Sequence, residues 1–137
     1  MLARVRRALR AVNTAVDRGS QSVGITRQQQ SVLLALAAHG GRRVPLADVR
    51  AELNMDQATA SILLGRLVRG GLLVRERGAD RRAADLTLTP KGRSAFRRSL
   101  RAIRAEMRSA ERRGELAPLN GELALYLRFH FGRSGKA

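Results

Sequence analysis

The amino-acid sequence predicts a mainly α fold with a small β component (α+β), and three observations predict it. Between residues 45 and 90 the chain reads as a short amphipathic helix, a tight turn, a second helix, a strand, an arginine-bearing loop, a second strand and a proline-started helix. On either side of that region apolar residues recur at steps of three and four, the spacing of helices that pack on other helices. The glycine pairs Gly40-Gly41 and Gly70-Gly71 punctuate the pattern where helices should end.

The first helix is carried by Leu2, Val5, Leu9, Val12 and Val16, with Arg4, Arg6, Arg7 and Arg10 on its other faces. Gly19-Ser20 should break it. Thr26 and Gln29 form the Thr-x-x-Gln capping box of a second helix, whose inner side is Val32, Leu33, Leu36 and Ala37. Pro45 suits the first turn of a third helix, where its missing N–H is not needed, and Leu46, Val49 and Leu53 give that helix an apolar stripe. Asn54 stands where the turn needs left-handed backbone, and Asp56 is the expected N-cap of the fourth helix.

Leu72 to Arg77 reads as a strand, Asp85 to Thr89 alternates as its partner, and the segment from Gly78 to Ala84 between them is too polar for a core. Thr89-Pro90 opens a long helix with a second seam, Phe96, Leu100, Ile103, Met107 and Ala110. A last helix is expected from about Pro118 to Phe131. It is apolar around much of its circumference, as a free surface helix is not. The terminal helices are therefore expected to bury against a second copy, through Leu2, Val5, Leu9, Val12, Leu100, Ile103, Met107, Leu123 and Leu127. This divides the chain into an N-terminal dimerisation helix and loop (1–25), a central helix-turn-helix and hairpin region (26–92) and C-terminal dimerisation helices (93–137).

Composition points to a polyanionic partner. The formal charge of the 137-residue chain is +16, and of its 27 basic side chains only Lys91 and Lys136 are lysine. Such a field concentrates a protein on nucleic acid by counterion release. There is no cysteine, so disulfides, thiolate zinc sites and thiol switches are excluded. Arginines throughout residues 1–16 argue against a secretion signal or membrane span, and the expected location is cytoplasmic. His39 and His130 fall on separate elements, with no carboxylate at ligand spacing, so no metal site or cofactor is expected. No nucleophile, base and acid are ordered as catalysis needs, and the chain is not expected to be an enzyme.

A helix-turn-helix followed by a basic hairpin places one helix in a DNA major groove and the hairpin, or wing, beside it. Four landmarks occur in order: the helix-turn-helix Leu46 to Leu67, Gly71-Leu72 entering the wing, Asp80-Arg81-Arg82-Ala83 within it, and Leu88-Thr89-Pro90-Lys91-Gly92 opening the next helix. On these the chain resembles the MarR family of bacterial winged-helix transcriptional regulators, across about residues 26 to 110. The resemblance implies a homodimer on a pseudo-palindromic operator, acting as a repressor, with release by a small anionic or aromatic effector. It also implies that the helix Gln57 to Arg69 enters the major groove, with Gln57, Ala58, Thr59, Ser61 and Arg66 in contact. By the same resemblance Arg81 and Arg82 approach the neighbouring minor groove and phosphates.

The chemistry of these residues agrees. Glutamine, serine and threonine donate to and accept from base edges, and the Ala58 and Thr59 methyl groups suit a thymine methyl. Arginine is favoured in a narrow minor groove, where the potential is most negative. Asp80 repels phosphate, so its expected role is to brace the wing through an arginine. Ile62 and Leu64 stand where the family is commonly polar or basic. That departure supports an alternative function, an architectural, nucleoid-type DNA-coating protein with weak sequence preference. A third reading, an RNA- or protein-binding winged helix, predicts indifference to duplex DNA. One tyrosine, three phenylalanines and no tryptophan offer little stacking surface for an effector, so the existence of one stays open. Arg10, Arg42, Arg43 and Arg75 are the candidates to attract an anion.

Overall fold

The structure, a computed structural model, describes residues 2–78 and 83–119, the side chain of Leu2 excepted. The elements follow in the order α1 (Leu2–Gln21), α2 (Arg27–Ala37), β1 (Val44–Pro45), α3 (Leu46–Leu53), α4 (Gln57–Arg69), β2 (Leu73–Arg77), β3 (Ala84–Leu88) and α5 (Pro90–Arg112), with a 3-10 turn at Ala117–Leu119. The strands form an antiparallel sheet of order β1-β3-β2. Val44 pairs with Leu86, which on its other side pairs with Arg75. No helix among the described residues is long and apolar enough to cross a membrane.

Local chemistry sets the helix ends. The Thr26 hydroxyl accepts from the Gln29 N–H at 3.1 Å while Gln29 Oε1 accepts from the Thr26 N–H at 2.9 Å, so two donors that the helix leaves unpaired are satisfied reciprocally. Asn54 ends α3 in the left-handed region, at φ 50° and ψ 46°. Pro45 lies one step earlier than expected. It is the N-cap of α3 and belongs to β1, where its ring fills an edge-strand position needing no N–H. This two-residue strand had no sequence signal, being too short to alternate.

One apolar core holds the lobe together. Val32, Leu33 and Leu36 of α2, Val49 of α3, Ala60, Leu63, Leu64 and Leu67 of α4, and Leu73, Leu86 and Leu88 of the sheet meet Ala95, Phe96 and Leu100 of α5. Burying each leucine contributes about 1.5–3 kcal/mol relative to exposure. The core thus draws in the start of α5, past the expected boundary at residue 92.

The body consists of α1 lying antiparallel along α5. Ala8 clusters with Ala110 at one end, and Gly19 meets Ile103 at the other. Gly19 was expected to break α1, but the helix runs on to Gln21. A β-carbon at Gly19 would stand 2.6 Å from the Ile103 backbone nitrogen, so the missing side chain serves close helix packing rather than termination.

The expected dimer seam is divided by this packing. Leu100 belongs to the lobe core, and Ile103 is covered by α1 within one chain. Val12 and Met107 lie half-buried against the small cluster of Ala8, Ala110, Leu116 and Leu119. Val5 is half-buried and Leu9 remains 44% exposed. Pro118 and Leu119 belong to the 3-10 turn. The rest of the expected last helix, with Leu123 and Leu127, lies outside the described residues.

Candidate nucleic-acid interface

Helix α4 is a two-sided object. Ala60, Leu63, Leu64 and Leu67, at helical spacing, face the lobe core. Leu64 is therefore a core residue and not part of the outward surface. Gln57, Ala58, Thr59, Ser61, Ile62, Arg66 and Arg69 are exposed, and Gly65 is half-buried. Helical periodicity puts Ala58, Ile62, Gly65 and Arg69 on the stripe opposite the core, with Gln57 and Ser61 along one flank and Thr59 and Arg66 along the other.

The N-terminus of α4 is closed by its own cap. Asp56 Oδ1 accepts from the Thr59 N–H at 2.7 Å, and Oδ2 accepts from the Thr59 hydroxyl at 3.1 Å. The Thr59 proton, expected to be free for a base, is thus given to Asp56. Its oxygen lone pairs and its methyl group remain for contact. The backbone hydrogen bond from Thr59, reinforced by the hydroxyl, holds the Asp56 carboxyl below the ordinary aspartate range, and the positive charge of Arg50 adds to this.

The C-terminus of α4 is held by α5. Lys91 Nζ donates to the Gly70 carbonyl at 2.8 Å, and the Thr89 hydroxyl donates to the Gly71 carbonyl at 2.5 Å while accepting from the Gly92 N–H at 3.0 Å. Thr89 N–H donates to the Leu72 carbonyl at 3.1 Å. The Leu88-Thr89-Pro90-Lys91-Gly92 motif is therefore a clamp that fixes where α4 ends and where the wing begins. At the far end of the wing strands, Gly78 N–H donates to the Ala83 carbonyl at 2.9 Å. Asp80, Arg81 and Arg82 lie outside the described residues.

Of the arginines considered for an anion, Arg10 alone lines the groove beside α1. Arg43 is ion-paired with Glu76 of β2. Arg42 and Arg75 are exposed, and Arg10 lies in a groove between α1 and the segment after α5. Arg4, Arg7, Arg18 and Arg113 share that groove with Glu106 and Glu115. Arg113 is engaged by Glu115 at 2.7 Å, a bond that raises the guanidinium pKa and lowers that of the carboxylate. His39 faces Glu52 across 3.7 Å, a neighbour that sequence spacing did not show because it comes from α3. Among the described residues no group of three potential ligands could hold a metal ion.

Sequence reasoning marked Ile62 as a departure from the family pattern without assigning it a contact, and passed over Gly65 and Arg69. The signal was present, since Ala58, Ile62, Gly65 and Arg69 follow one another at steps of four, three and four, the spacing of a single helix face. Only the packing of Leu64 decides which side of the helix faces out.

Comparison with known proteins agrees with this architecture. Residues 23–83 match the MarR family. No curated protein sequence matches the chain. Among solved structures, apo MarR from Escherichia coli is similar with a TM-score of 0.72 at 16% identity, covering 96% of this chain and 93% of that one. The Mycobacterium tuberculosis transcriptional regulator MosR, in complex with DNA, has a TM-score of 0.65 at 25% identity, covering 96% and 90%. A probable transcriptional regulator from Pseudomonas aeruginosa has a TM-score of 0.63 at 27% identity, covering 92% of each chain.

Proposed function

We propose that this chain, whose residues 23–83 match the MarR family, is a winged-helix transcriptional regulator of that family and binds duplex DNA as a homodimer. The observation that carries the reading is α4 itself. It is capped by Asp56, clamped at Gly70 by Lys91 and anchored by buried leucines, yet it presents a full exposed face. A helix so braced at both ends is suited to rigid insertion into a major groove. The likeness to a DNA-bound relative supports the same reading.

In this reading Gln57, Ser61 and Arg66 contact base edges or phosphates beside the Ala58 and Thr59 methyls, Arg81 and Arg82 serve the wing, and Asp80 braces it. Residues 26–92 with the start of α5 form the DNA-binding lobe. Residues 1–25 and 93–137 form the dimer body, with the exposed Leu9 in its seam. The regulator represses by occluding a promoter. A small anionic effector would act between lobe and body.

Charge and the apolar stripe on α4 favour a second reading, an architectural protein with weak sequence preference. Genomic footprinting, with binding to a footprinted sequence and a scrambled duplex compared at several salt concentrations, separates the two. A regulator gives few sharp sites and a specificity ratio of about a thousandfold or more. Broad coverage with equal affinity for both duplexes indicates the architectural protein, and indifference to duplex DNA rejects both.

A further inference from the structure

Ile62 is 60% exposed, more than Leu9, Val68 or Val74, the other large apolar residues found exposed among the described residues. A single exposed aliphatic side chain needs no explanation. Its neighbours make the difference. Ala58 and Gly65, on the same outward stripe, have no hydrogen-bonding side-chain atom either. Three side-chain positions in a row along the centre of α4 therefore meet a partner with hydrocarbon or with bare backbone.

Gly65 strengthens the point. Its backbone is in the ordinary helical region, and among the described residues a β-carbon there would meet the guanidinium of Arg69, at 3.7 Å. Among the described residues nothing requires glycine here, in contrast with Gly19 and Gly92, where packing does. The bare position beside Ile62 lowers the helix surface where a groove wall would approach.

We infer that Ile62, set between Ala58 and Gly65, is a specificity determinant that reads the 5-methyl group of thymine in the major groove. This rests on the DNA-binding reading above. In a major groove the thymine methyl is the apolar feature of the base edges. Adenine and cytosine offer amino donors, and guanine two acceptors. An amino group or acceptor pressed against Ile62 loses its water without gaining a partner, whereas the methyl group loses nothing. Discrimination at this position therefore comes from contact and from exclusion of the polar edges, with the flanking Gln57, Ser61 and Arg66 free to make polar contacts to either side.

The test uses the full-length protein to select duplexes from a randomised pool, then replaces each thymine of the best-bound duplex with deoxyuridine, one at a time, removing only the methyl group. One thymine in each half-site is expected to show a loss of about fourfold, the ratio for one buried methyl group. In Ile62→Ala that sensitivity should disappear, while Ser61→Ala should retain it. Thermal melting of Ile62→Ala, a surface substitution, should match the unaltered protein. An enriched duplex indifferent to every thymine methyl, or an equal methyl effect in Ile62→Ala, overturns the inference and leaves DNA recognition standing. Absence of any enriched duplex overturns the sequence-specific reading itself, and this inference with it.

Discussion

A β-carbon on Gly92 would stand 2.1 Å from the carbonyl oxygen of Leu72, so the first turn of α5 rests directly on the residue that joins α4 to β2. The Lys91 and Thr89 bonds to Gly70 and Gly71 surround the same contact. Gly92→Ala must therefore push α5 away from the end of α4. The expected loss is about 1–3 kcal/mol of unfolding free energy, the usual range for overpacking, measured by urea titration. An unchanged midpoint would show that the junction yields freely.

Gly65 should behave in the opposite way. A glycine within a helix destabilises it by about 0.5–1 kcal/mol relative to alanine, and the added methyl has room. Gly65→Ala is expected to raise stability by that amount while weakening binding to the selected duplex. Improved stability with unchanged DNA affinity would show that the helix surface does not approach DNA closely there.

Asp56 links stability to pH. Its carboxyl titrates below the ordinary aspartate range because Thr59 bonds the ionised form. The stabilisation is thus fully present above the ordinary aspartate pKa and is lost as pH falls through the lowered folded value. Asp56→Ala should lower the melting temperature at neutral pH, whereas Asp56→Asn, a competent cap, should keep most of it. Asp56→Asn also removes a negative charge from the end of α4 proposed to meet DNA, so binding at low salt should tighten. Weaker binding by this variant would argue that α4 does not present its N-terminus to phosphate.

The wing and the helix should fail differently. Arg82→Ala is expected to weaken binding to all duplexes and to flatten the slope of log affinity against log salt by about one unit. Ser61→Ala should instead relax preference at one half-site position, by about 1–3 kcal/mol. Both effects are read by titrating selected and scrambled duplexes over a salt series. Equal losses across all sequences for Ser61→Ala would place that residue on phosphate.

Leu9 tests the dimer. It is exposed on α1, whereas Ile103 and Leu100 are already covered within one chain. Leu9→Glu should shift the sedimentation equilibrium toward monomer without unfolding the lobe, whose core contains nothing from α1. A unaltered protein that sediments as a folded monomer at micromolar concentration would reject the homodimer.

β1 was not legible in the sequence, but the order of α1 to α5 with β2 and β3, the capping box at Thr26, the left-handed turn at Asn54, the cap at Asp56 and the helix start at Thr89-Pro90 were, because each depends on residues within about four positions of one another. The same holds for the positive charge and for the motifs that carry the family likeness. Tertiary structure alone decided the rest. Gly19 ends a helix or admits Ile103 according to whether another helix lies against it, and Leu100 is seam or core according to where α2 and the sheet sit. Leu64 and Ile62 are both apolar residues of one helix, two positions apart. Packing of the first against the lobe turned the second outward, because a helix buries only the side that its neighbours reach.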